Sequence, residues 1–390
     1  MEKYIVLRDV ESSPRQIKRG IQAGTSRIDQ VNPQLKIEIE NIPANALVDL
    51  RSDPQVRSAT PVIGTQLIKP LGIKPAASGD AWGIAAVGAD QSTYTGDGVT
   101  VAVLDTGIDI HHPAFLGMDL DVVDFTHTGK QDGNGHGTHC AGTIFGRDVG
   151  GHRIGIARGV KKALIGKVLD DTGGGSSEMI FQALQWALKE RANIISMSLG
   201  FDFPGTVKRK IDAGWPADLA TSQALEAYRG NLRMFDALMA MFKAQSAFNG
   251  SPVVIAAAGN ESRREVNTQY KIAASVPAAA DGVISVAAAQ QLDSEFGIAN
   301  FSNSFAHVTA PGVEILSAWP GGLLQSLDGT SMACPHVAGV AALWWERAVK
   351  ERAPIISAAV SAQLTSTARK LFSKQFDSSD YGFGLITSPK

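Results

Sequence analysis

The chain has 390 residues, 44% hydrophobic and 19% charged, with a formal net charge of −2. That length suffices for one large core plus a small extra unit, and the near-neutral balance gives no electrostatic footprint for nucleic acid. No apolar run approaches the ~18 residues of a membrane span, and two cysteines, Cys140 and Cys334, make no disulfide framework.

The opening, MEKYIVLRDVESSPRQIKRG, has a short apolar run broken by Arg8 and Asp9. No secretory signal is expected there, so the simple expectation is a cytoplasmic chain; a secreted chain whose leader had been removed would read the same. Residues 1–62 form a unit of their own. YIVLRDV reads as a strand, SPRQIKRGIQAG as a short helix, LKIEIENI as an alternating strand, PANALVDLRSDP as a helix begun at Pro43, and QVRSATPVI as a closing strand. Two βαβ-like halves predict a small α+β, ferredoxin-like sandwich. Residues 63–80 read as a linker, within a Gly-, Ala- and Ser-rich segment over 64–98 that reads as linker and docking arm.

From residue 81 to 390 the pattern changes. Apolar strand-like runs at 99–104, 163–169, 193–199, 252–258 and 282–288 alternate with helical patterns near 138–146, 178–191 and 218–248. This predicts an α/β domain, a doubly wound parallel sheet with helices on both faces. Such sheets carry their sites at the carboxyl ends of strands.

Polar groups stand at those ends. VAVLDTGID puts Asp105 at the end of the first strand, DGNGHGTHCAGT puts His136 in a glycine-flanked bend entering a helix, and VVIAAAGNES puts Asn260 just past another strand. In GTSMACPHVAG, Ser331 heads a helix that is apolar nearly all round. Taken singly, each has a plainer reading: a helix cap for Ser331, turn chemistry for Asp105 and Asn260, a structural role for His136. Taken together, they are the groups of nucleophilic acyl transfer, in one of the known chain orders. A serine hydroxyl needs a base. His136 can be that base and then the acid, Asp105 can fix its tautomer, and the Asn260 amide with the Ser331 N–H can hold an oxyanion. His139 and His336 are assigned to buried hydrogen bonds, and both cysteines to buried helices behind the site.

The segments VAVLDTGID, NGHGTHCAGT, SMSLG, AAAGNES and GTSMACPHVAG, closing with DYGFGLITS, resemble the signature segments of the subtilisin-like serine proteases. The resemblance implies an endopeptidase acting on polypeptides, with Asp105, His136 and Ser331 as the triad and Asn260 in the oxyanion hole. It implies that Ser198, Leu199 and Gly200 form one substrate edge and that Gly173 and Gly174, in DDTGGGSS, face the peptide from the other. The S1 walls would be Leu199–Gly200, Ala256–Gly259 (with Ala258 and Gly259) and 276–278, small and apolar, which favours an apolar P1 residue. Arg263 and Arg264 raise the competing idea of an acidic one. Residues 1–60 resemble the family's inhibitory propeptide, which makes the N-terminal unit an intramolecular inhibitor of a zymogen; a permanently attached domain is the alternative.

Two departures stand out. The family's common calcium site is expected to be absent, because Ala114 in DIHHPAFLG and Arg147 and Val149 in FGRDVGGHRIG replace oxygen ligands, and calcium takes about six to eight oxygens. No metal or other cofactor is expected. About fifty residues, 201–250, separate SMSLG from PVVIAAAGN, roughly twice what the resemblance implies. Leu225, Tyr228, Leu232, Phe235, Met239 and Phe242 recur there at helical spacing. This predicts a helix docked on the core, or a lid beside the cleft. Two rivals remain in view: a metallohydrolase built on Asp105, Asp109, His111, His112, His136 and His139, and a non-catalytic or permanently autoinhibited binding protein on the same fold.

Overall fold

The computed structural model describes residues 2–10, 34–74, 79–292, 295–353 and 356–390. The N-terminal unit comprises β1 (Glu2–Val10), β2 (Gln34–Ile42), α1 (Leu47–Ser52) and β3 (Val56–Pro61). β1 lies between β2 and β3, antiparallel to both. Period-2 alternation gives this sheet two apolar faces, with Tyr4 and Val6 on one and Ile5 and Leu7 on the other. The helix expected over 13–24 lies outside the described residues.

The segment read as a linker contains two strands, β4 (Gly64–Leu67) and β5 (Ile73–Lys74), followed by α2 (Trp82–Ala86). The body then runs β6 (Thr100–Asp105), β7 (Asp119–Asp124), α3 (His136–Phe145), β8 (Lys162–Lys167), β9 (Gly174–Ser176), α4 (Ser177–Lys189), β10 (Ile194–Met197) and β11 (Leu199–Phe201). The insertion is helical: α5 (Phe203–Asp212) and α6 (Ala217–Asn249). There follow β12 (Val253–Ala257), β13 (Val283–Gln291), β14 (Phe296–Ile298), β15 (Val308–Pro311), the hairpin β16 (Ile315–Trp319) and β17 (Leu323–Leu327), then α7 (Thr330–Lys350) and α8 (Ile356–Ser366).

The main sheet has the order β14-β13-β12-β10-β6-β8-β7, with β15 also on β13. Only the β13–β14 pair is antiparallel. Its central strands are apolar on both faces because both faces are covered. Val101, Val103, Ile165 and Ile255 pack with Ile144 of α3 and Val337 of α7. Ala102, Leu104, Leu164 and Val254 pack with Phe181 of α4 and Phe235 of α6 on the other side. The doubly wound arrangement is thus written in adjacent residues that point opposite ways.

The stripe on α6 docks only in part. Phe235, Met239 and Phe242 are buried, whereas Leu225 is 44% exposed. α6 also packs along α5 and along β3 of the N-terminal unit, while Ala227, Tyr228 and Leu232 still reach the core cluster that holds Phe235. No helix of the described residues is long and apolar enough to cross a membrane.

Candidate active site

Asp105 ends β6, and His136 opens α3 after Gly135, whose φ of 96° suits only glycine. The ring Nδ1 lies 2.8 Å from Asp105 Oδ1, and both residues are buried. The approach to His136 is held by Asp132. One of its oxygens accepts from Thr106 Oγ1 at 2.8 Å and Gly135 N at 2.8 Å, the other from the N–H and hydroxyl of Thr138. Lys167, fully buried at the end of β8, donates to the carbonyls of Thr106 and Gln131 and to Asp171 Oδ1. One ammonium thus ties the Asp105 turn, the His136 approach and the loop before β9. Neither Asp132 nor Lys167 was predicted; the signal for Lys167 was a charge inside the apolar run ALIGKVL.

Ser331 sits in the first turn of α7, fully buried. Asn260 follows β12, and its Oδ1 accepts from the N–H of Thr330 at 2.9 Å and its hydroxyl at 2.8 Å. The same hydroxyl accepts from Gly259 N at 3.1 Å. Thr330, beside Ser331 in GTSM, therefore fixes which way the Asn260 amide N–H points.

What covers these groups is the chain itself. β4 lies between β11 and β9, antiparallel to both. Leu67 pairs with Leu199, Gln66 with Gly200, and Thr65 with Phe201. On the other edge Leu67 N donates to Gly173 O at 2.8 Å, and Gln66 and Thr65 pair with Gly174 and Gly175. Glycine is required here: Gly173 has φ of 86°, and a Cβ on it would lie 2.9 Å from Leu67 Cβ. Thr65, Leu67 and Ile68 are buried while Gln66 and Lys69 face out. Ile68 lies over Gly200, where a Cβ would stand 3.6 Å from Ile68 Cγ1 and 3.3 Å from Ser275 Oγ.

Ser331 Oγ donates to the Ile68 carbonyl at 2.9 Å, and Asn260 Nδ2 donates to the Lys69 carbonyl at 3.1 Å. His136 Nε2 and Asp105 Oδ2 are buried with no hydrogen-bond partner. Among the described residues, Ser331 thus addresses the Ile68 carbonyl and Asn260 the next one along the chain, that of Lys69.

Other predicted residues are elsewhere. Ser198 points behind the cleft, its hydroxyl donating to Ser331 O at 3.1 Å. Ala258 has its backbone committed to Val286, Ser275 and Asn303. Gly259, with φ of 114°, shapes the Asn260 turn. The idea that Arg264 receives an acidic P1 side chain is wrong for this fold. Arg264 is buried and donates to the Ser302 carbonyl, to Ser304 Oγ at 2.6 Å and to Asp380 at 3.0 Å.

The six metallohydrolase ligands do not form one cluster, although Asp105 and His136 are paired. Among the described residues one group of three could hold an ion, Asp105, His136 and Cys140. His112 instead contacts Ala114 N and Leu323 O, and His139 the carbonyls of Ile315 and Gln325. Burial holds His139 neutral, with its pKa lowered to about 3, and His336 likewise at about 4. Burial also pushes the thiols up, Cys334 to about 11, so neither is a ready nucleophile.

An aspartate, a histidine and a serine on the carboxyl edge of a doubly wound sheet, with an amide donor beside them, define a serine hydrolase that works by acyl transfer. The family follows from comparison with known proteins. Residues 96–384 match the subtilase family, and the chain belongs to that family of serine endopeptidases. Subtilisin DY of Bacillus licheniformis is 35% identical over 316 residues, 78% of this chain and 96% of its own length. An alkaline protease of Alkalihalobacillus alcalophilus is 29% identical over 397 residues, 99% of this chain and 90% of the relative. Subtilisin-like protease 6 of Arthroderma gypseum is 34% identical over 270 residues, 67% of this chain and 58% of the relative. The chain thus spans less than two thirds of the length of that fungal relative.

Proposed function

We propose that this protein is an endopeptidase synthesised as a zymogen, and that its first substrate is its own bond between Ile68 and Lys69. The observation that carries this is the main chain of residues 64–69, paired as a strand on both cleft edges and ending with its Ile68 carbonyl 2.9 Å from Ser331 Oγ. His136 Nε2 takes the Ser331 proton as Oγ attacks the Ile68 carbonyl carbon. The electron pair moves to the carbonyl oxygen, where Asn260 Nδ2 and the Ser331 N–H receive it. The bond to Lys69 N breaks as His136 returns the proton to that amine, and water then hydrolyses the Ile68 ester. In the resting chain Asn260 serves the Lys69 carbonyl, one residue further on. That carbonyl must leave before the oxyanion can form, so self-cleavage is slow compared with cleavage of a free peptide. The apolar P1 preference follows from Ile68 over Gly200.

The insertion works in this reading as a dock for the N-terminal unit. Asn231 on α6 is fully buried and donates to Thr60 Oγ1 at 3.2 Å and Pro61 O at 3.0 Å. Gly230 leaves room for Thr60 itself. Both contacts fall where the chain leaves β3 for the cleft. A lid role is supported at the far end of β4, where Asp202 N donates to Gly64 O at 3.1 Å and Arg209 of α5 lies against Gly64. The reading needs no calcium at the common family position, and it is supported by Arg147, whose guanidinium donates to Phe145 O and Val160 O where the sequence would otherwise offer oxygen ligands.

Intact mass after a fluorophosphonate probe, on the wild type and Ser331→Ala, tests the whole reading. One adduct on a wild-type chain shortened by residues 1–68, with a full-length unlabelled variant, is expected. An unshortened chain without adduct would favour the permanently autoinhibited alternative.

A further inference from the structure

The strand pairing does not stop at the reacting bond. Beyond Lys69, Leu71 N donates to Asp328 O at 3.0 Å, and Ile73 and Lys74 pair antiparallel with Leu327 and Ser326. β5 thus forms the third strand of a sheet ordered β16-β17-β5. Residues 64–67 are held by main chain on one side of Ser331 and residues 71–74 on the other.

The edge that receives β5 is tied to the catalytic groups. Asp328 and Gly329 alone separate β17 from Thr330, at the head of α7. From the other side, His139, one turn after His136 on α3, contacts Ile315 O at 2.9 Å and Gln325 O at 3.0 Å. His112 Nε2 lies 2.8 Å from Leu323 O, and Gly321 N donates to Asp109 Oδ2 at 2.9 Å. Trp319 packs under Gly135, where a Cβ would come within 2.7 Å of its ring. The hairpin is therefore fixed to the histidine helix at its base and to the loop carrying Asp109 and His112 at its tip. It presents a strand edge whose main-chain groups are satisfied when another strand lies beside it.

We propose that the edge of β17, covered in this chain by residues 71–74 and open once that segment swings away after cleavage, is a binding site for the leaving half of the substrate, and that the enzyme selects extended polypeptide segments of about eleven residues. This rests on the endopeptidase reading above and gives it a substrate class: unfolded or loosely folded chain, gripped by strand addition on both sides of the cut. Residues 64–74 stand in for that substrate. Recognition on the leaving side is through main chain, so side chains at the positions of Ile73 and Lys74 are free to vary, whereas a blocked amide there is not tolerated.

The test compares three quenched peptides with the processed enzyme: GTQLIKPLGIK, the truncated GTQLIKP, and the long peptide with N-methyl groups on the nitrogens of its last Ile and Lys. The long peptide is expected to exceed the truncated one in kcat/KM by about tenfold, mainly through KM, and N-methylation to remove that advantage. Equal kcat/KM for all three would overturn the β17 site and leave the endopeptidase reading standing. If none is hydrolysed while a fluorophosphonate adduct still forms, residues 64–74 are not a substrate mimic and the proposal falls. If no adduct forms, both readings fall.

Discussion

The N-terminal unit and the body it rests on solve the problem of burial in opposite ways. The central strands of the body are covered on both faces by helices of the body itself, so Val103 and Leu104 each find a core of their own. Among the described residues, the N-terminal sheet has a core of its own on one face only, Tyr4, Val6 and Ile42 with flanking Leu47, Leu50 and Val56. Its other face, Ile5, Leu7 and Ile37, belongs to the cluster that holds Phe181 and Phe235. A unit of about sixty residues is marginal by itself, and this one has half its apolar surface completed by another region. Its folding and its docking are therefore one process. A ring of charge holds the rest together: Arg8 donates to Glu38, Glu40 and Asp53 at 2.7, 3.0 and 2.6 Å. These pairs are half-exposed, so the apolar face outweighs them.

The sharpest way to break the comparison is to keep the two regions covalently joined. Ser331→Ala is expected to abolish hydrolysis, by about 10⁶-fold in kcat, the scale seen when a triad of this type loses its nucleophile. The chain should remain full length on intact-mass analysis. Next in size is Asn260→Ala, expected to lower kcat on a short apolar peptide by about 10²- to 10³-fold with little change in KM; unchanged kcat would remove Asn260 from the oxyanion role. Asn231→Leu should loosen the dock without touching the chemistry. Two hydrogen bonds to the N-terminal unit are lost, each worth about 1 kcal/mol. The lag before full activity should shorten by roughly tenfold or more, while kcat of the processed enzyme stays the same; an unchanged lag would sink the docking role of α6.

A smaller effect separates the regions by pH. His139 and His336 belong to the body and are held neutral at about 3 and about 4 by burial. Their pKa values are lower folded than unfolded, so the unfolded chain takes up protons first. Stability is full above about pH 6.5 and falls as the pH drops toward 4, by up to about 1.4 kcal/mol per pH unit for each ring. Urea melts at pH 7, 6 and 5 should show the fall, and His336→Gln should flatten it if the ring is the cause. The smallest expected effect is none at all: a chelator should leave the Tm of the protein unchanged, and a clear drop would show that Arg147 does not stand in for an ion.

Much of the body was legible. Each polar residue of the triad closes or opens an apolar run, and such boundaries are local. Asp105, His136, Asn260 and Ser331 were therefore visible at the ends of VAVL, at NGHG, after VVIAAA and before a buried helix. The two-sided burial of the strands was legible for the same reason. The role of residues 63–80 was not. GTQL has no amphipathic signature, because its partners on both edges contribute mainly backbone, and those partners lie more than a hundred residues away. Arg264 reads locally as a charge beside the site; only its partners across the chain, Ser302 and Asp380, show it as part of the interior. Leu225 fits the helical stripe of α6 but faces solvent, while its neighbour Ala224 is the buried one.

By itself, then, the sequence determined the doubly wound body and the places of Asp105, His136, Asn260 and Ser331 at its strand and helix ends, since apolar periodicity and the residues that interrupt it are properties of neighbours in the chain. Only the tertiary structure decided what fills the cleft, which carbonyls Ser331 and Asn260 address, and where α6 docks. Those depend on main-chain pairing and on contacts between distant segments, and a hydrogen bond made by backbone leaves almost no mark on the choice of side chain.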